Sequence, residues 1–194
     1  MNVLVIPEDF RKDQYMLKPM VEAMLNHLGY PRARVRVLTD PLLGGISQAL
    51  NHERIREIVD RYRGMTDLFL LCVDRDGNVG RRMALDGVEA FASSLLPPGR
   101  FFLAENAWQE LEVWVLAGLD LPKDWKWADI RSEIHPKERF FEPVARERGV
   151  HEEPGGGRKT LGTEAARRYS RIRQICPEDV GKLEKRVGGL PFQA

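Results

Sequence analysis

The sequence predicts an α/β fold: a parallel sheet of about four strands, with helices between them and a helical C-terminal extension. Three observations predict it. Short apolar runs alternate with amphipathic stretches over the first 120 residues. The first run, Asn2 to Ile6, is β-branched, and Leu68 to Val73 is apolar throughout, as in strands buried on both faces. Each amphipathic stretch is long enough to carry a right-handed crossover back to a parallel strand.

Asn2 to Ile6 is the first strand. Met20, Val21, Met24, Leu25 and Leu28 recur at helical spacing, so a helix runs from about Gln14 to Leu28 and stops at Gly29. Pro19 suggests that its first turn is separate. Arg34 to Leu38 alternates, as a strand nearer a sheet edge does. Ile55, Ile58, Val59 and Tyr62 share one face of a helix over Asn51 to Tyr62. Leu68 to Val73 is the strongest strand signal in the chain. Arg81 to Leu96 is a helix stopped by Pro97 and Pro98, Arg100 to Ala104 a fourth strand, and about Ala107 to Gly118 a further helix. Past Asp120 the pattern changes. Short helical pieces hold Trp125, Trp127, Phe140 and Phe141, a Pro/Gly-rich loop spans Glu152 to Gly157, and a basic helix covers Thr163 to Ile175. A last helix near Pro177 to Val187 precedes a frayed tail. The α/β core is therefore 1–120, and 121–194 is an extension packed on it.

Composition narrows the function. Among 194 residues, 43% are hydrophobic and 30% charged, which excludes wholesale disorder. The formal charge of +1 argues against a globally basic nucleic-acid binder and leaves room for a local basic surface. No apolar run reaches the roughly 20 residues of a membrane span, and no signal peptide is read at the N-terminus. Two cysteines are too few for a disulfide framework; both are expected reduced, in a cytoplasmic protein.

In open α/β sheets, ligands bind beyond the carboxyl ends of the strands. Glu8 and Asp9 follow the first strand, Asp74 and Asp76 the third, and Glu105 and Asn106 the fourth. If extended geometry persists, Asp74 and Asp76 point to one side. Strands one and three are neighbours in the usual doubly wound orders, which brings Glu8 to the pair. Carboxylates so gathered repel unless a cation joins them, and such oxygens suit Mg²⁺ or Mn²⁺. The competing reading is that these acids merely favour helix N-termini.

Other motifs fail. A calcium loop from Asp74 needs Gly and Glu where Val79 and Leu85 stand. Gly155 to Thr160 lacks the Gly–Lys order and preceding strand of a Walker loop. The four histidines show no metal-ligand spacing. Arg158, Lys159, Arg167, Arg168, Arg171 and Arg173 cluster with Glu164 as the one intervening acid, either as a solvated face or as a track for phosphates. Glu112 has Trp108, Val115 and Leu116 as helical neighbours, so it is expected to be buried and to serve the site. A structural ion pair with one of the arginines is the alternative for Glu112, and Glu110 the alternative residue.

Glu after strand one and Asp-x-Asp after strand three, on a parallel core, resemble the TOPRIM domain of topoisomerases, primases and OLD-family nucleases. The stretch Glu105 to Trp114 looks like the Glu-x-Trp helix of small stand-alone TOPRIM-like bacterial proteins, some of them defence-associated. Pro136–Lys137 and Arg158 to Arg173 resemble basic positions of their C-terminal parts. The likeness is close to about residue 118 and looser beyond. Asp9 stands where TOPRIM domains usually carry Gly.

The resemblance implies a Rossmann-like core and a Mg²⁺- or Mn²⁺-dependent nuclease acting on DNA or RNA. By resemblance Glu8 takes the acid–base role, and Asp74 and Asp76 bind the metal; Glu8 is expected as a further ligand, and Glu112 as another from its place on an apolar helix face. Lys137 and Lys159, with Arg75, are expected to neutralise charge on the phosphate. Arg158, Arg167, Arg168 and Arg171 are expected to hold nucleic acid. The alternative is a non-catalytic metal- or nucleic-acid-binding module of a larger complex, with a protein partner or a second copy of the chain. A phosphatase for small phosphates is third.

Overall fold

The structure, a computed structural model, describes residues 1–192. Four strands, β1 (Asn2–Pro7), β2 (Arg34–Val37), β3 (Leu68–Val73) and β4 (Phe101–Asn106), form one parallel sheet in the order β2-β1-β3-β4. Period-two alternation sorts their side chains. Val3, Val5, Leu68, Leu70 and Cys72 enter one core, and Leu4, Ile6, Phe69, Leu71 and Val73 the other. Every residue of β3 is buried, which explains its unbroken apolar run.

On the second face lie α2 (Ile46–Ala49), α3 (His52–Tyr62) and α4 (Arg81–Ser94). The first face is covered by α1 (Phe10–His27) and α5 (Glu112–Gly118), and by residues of α6 (Trp127–Ser132), α7 (Glu142–Glu147), α8 (Arg158–Ala166), α9 (Tyr169–Ile175) and α10 (Lys182–Gly188). The extension thus shares one hydrophobic core with the sheet: Phe141, Leu161, Ile172 and Val187 pack with Val5 and Leu70. No helix among the described residues is long and apolar enough to cross a membrane. Cys72 and Cys176 are free and buried, and burial pushes both thiols up.

Several boundaries differ from expectation. Helix α1 starts at Phe10 and runs through Pro19 without a separate first turn. Proline cannot donate to the carbonyl of Tyr15, and α8 packs against that stretch. A Cβ on Gly162 would lie 2.7 Å from the Tyr15 oxygen, so the close approach requires glycine there. The basic helix divides at Arg167–Arg168 into α8 and α9. The last helix opens as a π-helical turn, Pro177–Gly181, before α10, and another such turn, Lys137–Phe141, precedes α7. The expected frayed tail falls partly on residues 193 and 194, which lie outside the described residues.

The largest correction concerns residues 107–111, which are expected to be helical and instead form a loop before α5. Gln109 adopts a left-handed φ of 74°. Its carbonyl accepts from Arg75 N–H at 2.6 Å and Asp76 N–H at 3.1 Å, and its Oε1 accepts from Gly77 N–H at 2.8 Å. Buried Asp179 holds the same loop, accepting from Trp108 N–H and Trp114 Nε1 at 2.8 Å each and from Arg131 at 3.0 Å. Tertiary hydrogen bonds have replaced one helical turn.

Candidate metal centre

The order of the strands reverses between β1 and β3, and both deliver a carboxylate beyond their C-terminal ends. Pro7 pairs in register with Cys72. Two positions on, Asp74 N–H points to Glu8 Oε2 at 3.4 Å. Glu8 and Asp74 are therefore brought together as the parallel topology predicts. Asp9 caps α1, accepting from Arg11 N–H at 2.9 Å with φ −119° and ψ 100°. This extended backbone suits any residue, so the turn does not require glycine at that position.

Extended geometry does not persist past β3. Asp76 sits at φ 51°, stabilised by the clamp from Gln109. The two aspartates nevertheless converge: one carboxylate oxygen each from Asp74, Asp76 and Glu110 lie within 4.8 Å of one another. The third member is Glu110, not Glu112. Asp74 Oδ1 accepts from Leu111 N–H at 2.8 Å, and Glu110 Oε2 accepts from Lys137 N–H at 2.8 Å. The 107–111 loop thus fixes both carboxyl groups, which a helix starting at Ala107 would not do.

Electrostatics mark this cluster as short of positive charge. Burial, reinforced by Glu112 and Asp13, raises the Asp74 carboxyl well above its ordinary value. Burial also pushes Asp13 and Glu110 up to about 7 each, with Glu112 adding to both. Glu8 is raised too, by burial first and by Asp76 after it, while Asp74 N–H and Arg81 act against the rise. Asp13 carries no signal for the site in the sequence, where the helix is expected only from about Gln14. In the structure it is buried and accepts from Asp9 N–H at 2.9 Å.

The remaining expected residues fall elsewhere. Glu112 is buried, and its carboxylate is taken by Arg158, whose Nε lies 2.9 Å from Oε1 and whose Nη2 makes a second bond. The structural ion pair describes Glu112 better than a metal ligand does. Arg158 is correspondingly no surface phosphate contact: it is buried, donates to Gly155 O at 2.6 Å and lies over the Phe141 ring at 5.2 Å. Lys137 acts on the cluster through its backbone, while its Nζ pairs with Glu138 at 2.8 Å. Lys159 is exposed and has no ion pair among the described residues. Arg167 is exposed, Arg168 forms a fork with Asp120 at 2.6 and 2.7 Å, and Arg171 lies 3.7 Å from the same carboxylate. Arg75 stacks over Trp108 at 4.1 Å. Glu105 is buried between Arg82 at 2.9 Å and Arg186 at 3.2 Å, a structural network on β4.

Beside Glu8 opens a cleft of about 500 Å³ between residues 8–11 and 42–45. Comparison with protein-family models, with curated proteins and with solved structures gives no match.

Proposed function

We propose that the chain is a Mg²⁺-dependent phosphodiester hydrolase acting on DNA or RNA. The observation that carries this reading is the convergence of Asp74, Asp76 and Glu110 oxygens at the topological switch point, with carboxyl groups around them held protonation-prone by burial. Such a set is costly in the absence of a cation and favourable with one. An all-oxygen donor set fits Mg²⁺ or Mn²⁺, with waters and phosphate oxygens completing the shell. Asp74, Asp76 and Glu110 would hold the ion. When bound, such an ion polarises a phosphate and lowers the pKa of a water.

The chain's own residues supply the rest. Glu8 accepts from Asp74 N–H and borders the open cleft, where burial raises its carboxyl and places it to exchange a proton with a ligand there. Arg75, held on the Trp108 face, presents a cation close to the aspartate loop. Exposed Arg167 and Lys159 offer charge to a polynucleotide backbone on the α8 side.

Labelled single-stranded DNA, duplex DNA and RNA, each incubated with Mg²⁺, Mn²⁺ or EDTA, test this. The expected result is metal-dependent cleavage of at least one polymer, with Asp74→Asn reducing the rate at least a hundredfold while remaining folded. Cleavage that persists in EDTA, or no cleavage of any polymer with either metal, would overturn the assignment.

A further inference from the structure

Arg81 is the first residue of α4, a helix of 14 residues with no side-chain cap at Gly80 and no acid in its first turn. A cation is unfavourable at that end of a helix. The side chain is nonetheless buried, at 7% exposure, and its Nε has no hydrogen-bond partner among the described residues. A guanidinium out of water ordinarily fills its fork, because each orphaned donor costs free energy. Arg158 does so with Glu112 and Gly155. Its one ion pair among the described residues is with Asp76 Oδ2, at 3.5 Å, on a carboxylate about half exposed, and Glu8 is the other carboxyl near enough to feel its charge.

The position of this unfilled fork is fixed. Gly77 N–H is bonded to Gln109 Oε1 at 2.8 Å and Gly80 N–H to Asn78 Oδ1 at 2.9 Å, so the loop entering α4 is tied at both ends. A guanidinium serving only as counter-ion to Asp76 would engage it squarely, as Arg168 engages Asp120. Arg81 instead stands next to the Asp74–Asp76–Glu110 oxygens with donors to spare.

We propose that Arg81 and the open first turn of α4 form an anion subsite that takes a phosphate oxygen of the ligand held at the carboxylate cluster. This rests on the metal-dependent reading given above and identifies the group that recognises the phosphate. Without a cation, three carboxylates repel an incoming phosphate; with one bound, the ion and the Arg81 guanidinium would both attract it. Metal and phosphate binding are therefore coupled, and each tightens the other by the same factor.

Calorimetric titration with thymidine 5′-monophosphate, with and without saturating Mg²⁺, and a separate titration with Mn²⁺ alone, test the subsite. The parent chain is expected to bind the nucleotide at least tenfold more tightly with Mg²⁺ than without, and thymidine not at all. Arg81→Gln is expected to lose at least tenfold in nucleotide affinity while binding Mn²⁺ as well as the parent or better. Arg81→Lys, which keeps the charge and loses the fork, falls between and carries the test should Arg81→Gln not fold. Equal nucleotide affinity in parent and variants, or a parent that binds Mn²⁺ but no nucleotide, overturns the subsite and leaves the metal centre standing. A parent that binds no Mn²⁺ overturns the metal-dependent reading and the subsite with it.

Discussion

Replacing Glu112 with Gln separates a structural role from a ligand role. Both partners of the Glu112–Arg158 pair are about 95% buried, and Arg158 directs Nε and Nη2 at the one carboxylate oxygen. Glutamine keeps an acceptor there but leaves the buried guanidinium without a counter-charge. Breaking one side of a buried pair costs about 3–5 kcal/mol. The remaining contacts of Arg158, to Gly155 O and the Phe141 ring, survive and limit the loss. For a domain of this size 1 kcal/mol corresponds to about 2–4 °C, so the melting temperature should fall by roughly 10 °C. Urea denaturation should show a lower midpoint with an unchanged slope. Replacing both partners, as Glu112→Leu with Arg158→Met, should restore most of the loss, because no buried charge then remains. Removing the Glu112 charge also removes one cause of the raised Asp13 and Glu110 carboxyls, so both should titrate below about 7 in carbon-detected NMR. Affinity for Mn²⁺ should change by less than a factor of about ten. A stability loss under 1 kcal/mol together with abolished metal binding would refute the structural assignment and return Glu112 to the ligand set.

Metal-free protein should lose stability as pH rises from about 4 to 7. The folded-state value of Asp13, about 7 against an ordinary 3.8, means that the native state binds more protons in that window, which amounts to about 4 kcal/mol. Asp74 and Glu110 act in the same direction; melting in EDTA at pH 5 and pH 8 reads the slope, which saturating Mg²⁺ should flatten. Gly162→Ala should destabilise by several kcal/mol in urea titration, since its Cβ would meet Tyr15 O at 2.7 Å and Met16 Cα at 3.2 Å. Replacing Arg167, Arg168 and Arg171 with Gln should reduce the salt dependence of nucleic-acid binding by roughly one unit per lost phosphate contact, with Arg168 contributing least because Asp120 already holds it. An unchanged slope would make this a solvated face.

The sheet was legible because burial on both faces leaves a mark in the chain. Leu68–Val73 is the strongest strand signal, and the usual doubly wound strand order then set Glu8 beside Asp74 without any knowledge of contacts. The loop at 107–111 was not legible. Trp108 and Leu111 are apolar at helical spacing, but Trp108 answers to Asp179 and Leu111 to Asp74, partners 71 and 37 residues away. Nothing local marks Gln109 for a left-handed φ, since that preference belongs to Gly, Asn and Asp. Misplacing the helix start shifted attention from Glu110 to Glu112. Burial of Glu112 was read correctly, but burial alone does not distinguish a ligand from an ion pair. That distinction needed the position of Arg158, 46 residues on, which looked like one more member of a basic surface.

The central claim is that Asp74, Asp76 and Glu110 form a divalent-cation site, and Mn²⁺ binding followed by electron paramagnetic resonance tests it most directly. The parent chain should bind Mn²⁺ saturably, with Mg²⁺ competing. The combined variant Asp74→Asn, Asp76→Asn, Glu110→Gln should lose at least a hundredfold in affinity while melting no lower than the parent in EDTA, because the Asp74 and Glu110 charges, disfavoured first by burial and then by Glu112, are gone. A variant that folds and binds Mn²⁺ as tightly as the parent would contradict the account.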